Sequence, residues 1–361
     1  MQTEIAKSRK LQNKFLSFRK KVYGEKKLYV DNSYFMLKEI FSDKLHFTKS
    51  LSITPLMIED DENNVLCEGI IAVANDLPEY VQLCFFEALE GVTEAVKLLV
   101  DEAVKIGKSK GCKRLVIGLC GHVNYGLGFL DSHFDKVNSF SSAGNPSFYN
   151  DYFRAMDLEE VKLNSYFTHS LDGRLMRYEK ILEKLNKEYE FKKFDKKHFE
   201  EYSKMYTDLN NKCFTDHKYY YVRDYKDDEE MLKELFLFMK EDSLIFAFKD
   251  GKPAGFILWY PDYNELAKPG EAFGTKHYFK NIFANKKIKT AKVMEYGVLD
   301  EYRGVGLPFA LIAHVYSILL NYGVSQVESS WILADNEDSN SFCKAFCDEL
   351  YKEYVVYEKE I

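Results

Sequence analysis

The stretch EYGVLDEYRGVGLPFALI, residues 295–312, does more than any other to fix what this chain folds into. A β-prone run, a turn holding two glycines and an apolar run at helical spacing imply a strand that passes through a tight loop into a buried helix. In such a loop backbone N–H groups converge, and the positive end of the following helix favours an anion in front of them. Within RGVGLP the amides of Gly304, Val305, Gly306 and Leu307 can turn inward. Pro308 has no N–H to offer, but in the first helical turn its fixed φ suits the helix and breaks no helical bond. The proline therefore modifies the cradle: it stiffens the helix start and removes one donor, a loss of roughly 1.5–3 kcal/mol for a charged ligand if nothing replaces it. Spacing alone equally allows an ordinary glycine turn before a core helix.

The C-terminal half reads as a strand at 190–195, helices in 196–211 and 226–241, and a hairpin over 243–260 turning at Asp250-Gly251. The strand 291–300 then leads into the loop. A helix over 306–322 follows, with Leu307, Leu311, Val315 and Ile318 on one face. A strand at 325–334, a helix capped by Asp335 or Asn336 and an aromatic-rich terminal strand at 351–361 complete it. The first half holds comparable pieces: strands at 50–60, 64–75 and 79–89, an amphipathic helix at 91–111 ending at a glycine, a buried strand at 112–121 and a helix from 145. The long loop after Gly118 contains glycines but lacks a phosphate-loop spacing. A charged helix with Leu175, Ile181, Leu182 and Leu185 on its buried side connects the halves, so the expected domains are 1–181 and 182–361.

With 361 residues and 46% hydrophobic content, the chain can bury cores for two domains of ordinary size. It contains no run of about 18 apolar residues, and its charged opening lacks the apolar centre of a secretory signal. A cytoplasmic protein without membrane partners is expected. The seven cysteines are odd in number and form no CxxC pair, which suggests reduced thiols and no metal site. A net charge of −7 supplies no field to draw in nucleic acid, so an anionic ligand must be held locally.

The order of elements, together with LDEYRGVGLPFALI, resembles the GNAT N-acetyltransferase superfamily. That family's loop runs Gln or Arg, two residues, Gly, one residue, then Gly or Ala. Arg303 and Gly306 match it, and Pro308 replaces the final small residue. The segments FFEALE, NPSFYNDYFRAMDLEEVKLNSYF and FAFKDGKPAGFILWYPDYNE resemble a bacterial group of tandem GNAT-like proteins whose first unit has lost its cofactor loop. The resemblance implies an α/β fold of two tandem domains, each a mostly antiparallel mixed sheet flanked by helices, with YVVYEKEI as the closing strand. It implies acetyl-CoA as co-substrate. Arg303, Gly304, Val305, Gly306 and Leu307 would surround its phosphates, Val298 and Leu299 would contact the pantetheine arm, and Asn336 would lie nearby.

Acetyl transfer needs a free amine, a polarised carbonyl and a leaving thiolate. Many GNAT enzymes protonate the thiolate with a tyrosine seven residues after the asparagine; here that slot holds Cys343, a weak donor or a packed hydrophobe. No histidine lies near Cys343 in sequence, which speaks against an acyl-cysteine route. Glu295 shares a strand face with Gly297 and can take the amine's proton if desolvation raises its pKa; otherwise it is a solvated strand residue. Lys286, Lys287, Lys289 and Lys292 read as the solvated face of a hairpin or as an attractant for an acidic substrate. Pro261–Asn264 reads as a turn and, by resemblance, as part of an acceptor pocket. The expected function is N-acetylation of a small-molecule or peptide amine by direct attack in a ternary complex. A non-catalytic acyl-CoA-binding protein is the alternative, and the acidic balance disfavours tRNA-dependent transfer. The first unit is expected to shape substrate access or to make oligomer contacts, as in a homodimer.

Overall fold

The computed structural model describes the chain apart from residues 24–27, 172, 174–178, 269, 285 and 286, so Leu175 and Lys286 lie outside the described residues. The first half supplies β1 (Gln2–Ile5), α1 (Arg9–Tyr23), α2 (Ser33–Phe41), β2 (Leu51–Glu59), β3 (Val65–Ala74), β4 (Tyr80–Ala88), α3 (Thr93–Ser109), β5 (Arg114–Ile117), β6 (Phe129–Leu130), α4 (Phe148–Arg154) and β7 (Glu159–Thr168). Helix α5 (Glu179–Glu188) spans the expected boundary; Leu185 is buried, but Ile181 is exposed rather than on the packed side. The second half follows with β8 (Glu190–Lys193), α6 (Phe199–Cys213), α7 (Tyr225–Leu235), β9 (Leu244–Lys249), β10 (Lys252–Pro261) and α8 (Thr275–Ala284). It ends with β11 (Thr290–Val298), α9 (Leu307–Tyr322), β12 (Gln326–Leu333), α10 (Glu337–Phe346) and β13 (Glu349–Glu360).

Local chemistry sets the turns. Asp250 and Gly251 take φ of 51° and 77°, the paired positive values that match the twist of a two-residue hairpin between β9 and β10. Helix α9 runs between Gly306 and Gly323, both left-handed, and buries Leu307, Leu311, Val315 and Leu319 on one stripe, while Ile318, expected as its fourth member, is half-buried.

The strands of the described residues join one 13-stranded sheet in the order β1-β2-β3-β4-β5-β13-β7-β12-β11-β10-β9-β8, with β6 beside β13. Among the strands of the described residues, only β4 with β5 and β11 with β12 run parallel. The terminal strand does not close the half it comes from. β13 pairs with β5 and β7, and β7 pairs with β13 and β12, so each half takes its last strand from the other. The expectation that 351–361 closes the second sheet is corrected accordingly. The cause is packing: Val355 and Tyr357 join the first-half core around Phe129 and Phe153, while Tyr354 and Val356 join Val116, Leu130 and Leu163.

A buried polar seam fixes the exchange. Glu328 of β12 accepts from Ser165 Oγ of β7 at 3.2 Å and from Ser139 of the first half, and lies 3.6 Å from Lys352 of β13. Such a buried pair adds little net stability but penalises any arrangement that leaves one partner alone. The loop after β6 lies across the second half: Phe140 N–H donates to Asp262 at 2.7 Å, and Asn264 Nδ2 donates to Asn138 O at 2.7 Å. Residues 261–264 therefore anchor this loop; they do not line the cleft described below. Lys292, expected on a solvated face, is buried and donates to Phe140 O at 3.2 Å and Ser142 Oγ at 2.6 Å, whereas Lys287 and Lys289 are exposed. Burial lowers the Lys292 pKa to about 8. No helix among the described residues is long and apolar enough to cross a membrane.

Candidate active site

Strands β11 and β12 run in register from Thr290 beside Gln326 to Val293 beside Ser329 and then part, while β11 stays paired with β10 as far as Val298. The register of that second pairing shifts at Met294, opposite Leu258 and Trp259. A bulge here re-aims the residues that follow it. The gap is a cleft of about 130 Å³ whose lining comes from both faces of the sheet. Ile312 of α9 with Ser339 and Cys343 of α10 line one side; Phe214, His217 and Tyr220 after α6, with Asn124 and Ser141 of the first half, line the other.

On the α9 side, a short helical turn at Asp300–Tyr302 leads to Arg303, Gly304 with φ of 77° and Gly306 with φ of 88°. Pro308 lies in the first turn of α9. Among the described residues, none of the amides of Gly304, Val305, Gly306 and Leu307 is bonded within the chain. Unbonded amides at a helix start suit an anion. Arg303 is tethered beside them, with Nε 3.3 Å from Val298 O and Nη2 3.0 Å from Asp300. The Leu299 N–H donates to Ala254 O at 3.0 Å. The Val298 carbonyl and the Leu299 amide are thus engaged inside the chain. The edge of β11 without a β12 partner lies beyond Val293.

On the α6 side, Glu295 is gripped by a helix. Tyr206 Oη donates to its Oε2 and Asn210 Nδ2 to its Oε1, both at 2.6 Å. Tyr220 Oη lies 2.8 Å from Asn210 Oδ1, which fixes that amide with its NH₂ toward Glu295. The residue is half-buried, but its carboxyl is enclosed by protein. Burial raises its pKa to about 7 against the lowering pull of the two hydrogen bonds, with Asp228 pushing it further up. Gly297 faces the same helix: a Cβ there would come within 2.7 Å of Phe256 and 2.9 Å of Cys213.

Cys343 lines the cleft but is buried, and a hydrogen bond with Cys347 together with burial raises its thiol far above the ordinary range. It is neither a ready nucleophile nor a useful acid. Tyr296 lines the same cleft, and burial raises its pKa to about 12. Asn336 lines the cleft and caps α10, accepting from Ser339 N at 3.0 Å. The asparagine that ties this helix to the exchanged strand is Asn340, which accepts from Tyr166 Oη at 2.8 Å and Asn164 Nδ2 at 2.9 Å of β7.

Tyr206, Asn210, Tyr220, Tyr296 and His217 were not singled out by sequence. His217 shares the cleft with Cys343, although sequence distance separates them. Its Nδ1 lies 2.8 Å from Lys218 O, and burial lowers its pKa, so it is a neutral ring. The helical run of 199–213 marked α6 only as amphipathic; a tyrosine and an asparagine four apart on one helix face were the available signal.

Residues 184–347 match the model of the acetyltransferase (GNAT) family. Protein YghO of Escherichia coli is 29% identical over 155 residues, 41% of this chain and 37% of that protein. The bacterial ceramide synthase of Caulobacter vibrioides is 22% identical over 178 residues, 47% of this chain and 46% of that protein. The matched stretch thus spans less than half of either relative. A tandem GNAT protein from the clavulanic acid biosynthesis pathway superposes with a TM-score of 0.58 at 12% identity, covering 99% of this chain and 98% of that one. With the splayed strands and the glycine loop already in place, residues 184–347 are similar to the GNAT acetyltransferase family, and the chain shares the fold of a tandem GNAT structure.

Proposed function

We propose that the chain is a CoA-dependent N-acyltransferase, with acetyl-CoA as the first donor to test, and that it acylates a primary amine by direct attack. The observation that carries this reading is the Glu295 carboxyl, held by Tyr206 and Asn210 in the cleft where β11 and β12 part, on the same strand that leads into the free amides of residues 304–307. An amine with an ordinary pKa near 10 arrives as an ammonium and cannot attack until it loses a proton. A carboxylate with a pKa of about 7 is matched to accept that proton near neutrality. The amine nitrogen then forms a bond to the thioester carbonyl carbon and the C–S bond breaks; the second proton lost by nitrogen ends on the departing sulfur, so that CoA is released as the thiol. Tyr296, protonated throughout the working range, supplies a hydrogen bond or proton to that sulfur, the role that Cys343 is unable to fill.

Two tests arise directly. Calorimetric titration with acetyl-CoA, followed by free-CoA release across an amine library, decides between transfer and mere binding; no binding at high micromolar acetyl-CoA removes the reading. Because one relative is named a bacterial ceramide synthase, a fatty acyl-CoA belongs beside acetyl-CoA in the screen. Gly306→Val forces a β-branched residue into a left-handed backbone, at a cost of about 1–2 kcal/mol, and is expected to weaken CoA binding roughly tenfold. In the CoA-release assay, Cys343→Ala retains turnover within about threefold, whereas Tyr296→Phe loses roughly tenfold in kcat.

A further inference from the structure

On the α6–α7 side of the sheet, the cleft continues into a second cavity of about 310 Å³, and Asn124, Ser141 and Met294 line both. Its walls include Phe35 and Met36 of α2, Met231 and Leu235 of α7, and Phe273. Phe35, Leu237 and Glu234 are exposed at its rim, where Glu39 and Glu230 are half-buried. Among the described residues no cation pairs with these three carboxylates. We propose that this cavity receives the apolar body of the acceptor, so that the substrate is an amphiphilic primary amine rather than a small polar one. The inference rests on the acyl-transfer reading above for the word acceptor, and on the cavity for the class of molecule.

Three features select this occupant. The cavity lies on the face where α6 presents Glu295, away from the loop amides near α9, so it extends the amine's side of the cleft and not the donor's. Its volume is about twice that of a cavity able to hold benzene, which corresponds to roughly a dozen carbon atoms. Its rim carries only negative charge among its ionisable groups, which attracts an ammonium and repels a fatty carboxylate. Burial, with repulsion from Glu230 and Glu39 added, raises Glu234 to about 6. Met36, Met231 and Met294 make the wall deformable, so apolar bodies of differing shape fit. Phe35 and Met36 belong to the first half, which gives that half a part in substrate choice without a cofactor loop of its own.

The test titrates decylamine, hexylamine and decanoate into the full chain by calorimetry, each below its micelle concentration. Each buried methylene is expected to tighten binding about threefold to fourfold, so decylamine binds at least tenfold more tightly than hexylamine. Decanoate is expected to bind at least tenfold more weakly than decylamine. Leu235→Trp, which fills the cavity, abolishes the chain-length dependence while CoA affinity, measured on the same sample, reports an intact fold. Equal affinity for the two amines in the unsubstituted protein, or decanoate binding as tightly as decylamine, overturns the proposal. Chain-length-dependent amine binding without any CoA binding keeps the cavity's assignment as an amine subsite and removes acyl transfer; CoA release from short polar amines alone removes the subsite and keeps acyl transfer.

Discussion

Glu295→Gln is expected to lower kcat by about 10²–10⁴-fold while CoA affinity stays within twofold, because the substitution removes the proton acceptor and keeps the cleft's shape. The pH dependence identifies the group. In the unsubstituted protein the rate should climb with pH through about 7, as Glu295 ionises, and then level off. In Glu295→Gln that limb disappears; if it persists, the proton goes elsewhere and His217, the neutral ring on the same side of the cleft, becomes the base. Stability moves in the opposite direction. A carboxyl whose pKa rises from 4.5 to about 7 on folding binds its proton more tightly in the native state. Its ionisation therefore costs stability progressively from about pH 4.5 to pH 7, and the full cost persists above that. The ceiling on that cost is on the order of 3 kcal/mol. Thermal melts of Glu295→Gln should thus exceed those of the unsubstituted chain at pH 8 and match them near pH 4. A variant that is slower yet more stable at pH 8 is the signature of a group kept for chemistry and not for packing.

The features readable in the sequence are those decided within about 20 residues. The left-handed glycines around RGVGLP, the Asp250-Gly251 turn and the apolar stripe of α9 each follow from local chemistry, and the structure places them where spacing does, except that Leu319 and not Ile318 completes the buried stripe. The misreadings share one cause, which is a partner far away in the chain. Lys292 looks like a surface lysine until Phe140 and Ser142, some 150 residues earlier, close over it. Residues 261–264 look like a pocket rim, yet Asp262 and Asn264 are occupied by the first-half loop. Glu295 was readable as a base conditional on its burial, but the burial itself and the grip of Tyr206 and Asn210, 89 and 85 residues away, were not. His217 and Tyr220 follow α6 in an aromatic run whose packing against first-half residues such as Val123 and Leu127 has no local periodic signal.

Neither half of the chain, expressed alone as 1–181 or 182–361, is expected to fold, and the two co-expressed should form a soluble one-to-one complex that binds CoA. The reason is the strand exchange. Fragment 182–361 keeps β13 but loses both of its neighbours, since β5 and β7 belong to the first half, and β12 loses β7. Fragment 1–181 keeps β5 and β7 with nothing between them. Both would expose open strand edges, a route to aggregation. Tyr354, Val355, Val356 and Tyr357 are all 2% exposed or less, and burial of such side chains contributes roughly 1.5–3 kcal/mol each. Four of them amount to about 6–12 kcal/mol, comparable with the entire stability of an ordinary domain. Separation also strands Glu328 without Ser139 and Ser165, and leaves a buried charge short of its hydrogen bonds. Val356→Asp in the full chain makes the same point with one residue: an unpaired carboxylate between β5 and β7 should cost at least about 4 kcal/mol and lower the melting midpoint of both halves together. Cooperative unfolding and CoA binding by 182–361 alone would show that the exchanged strand is dispensable, and the glycine loop would then belong to a self-sufficient domain.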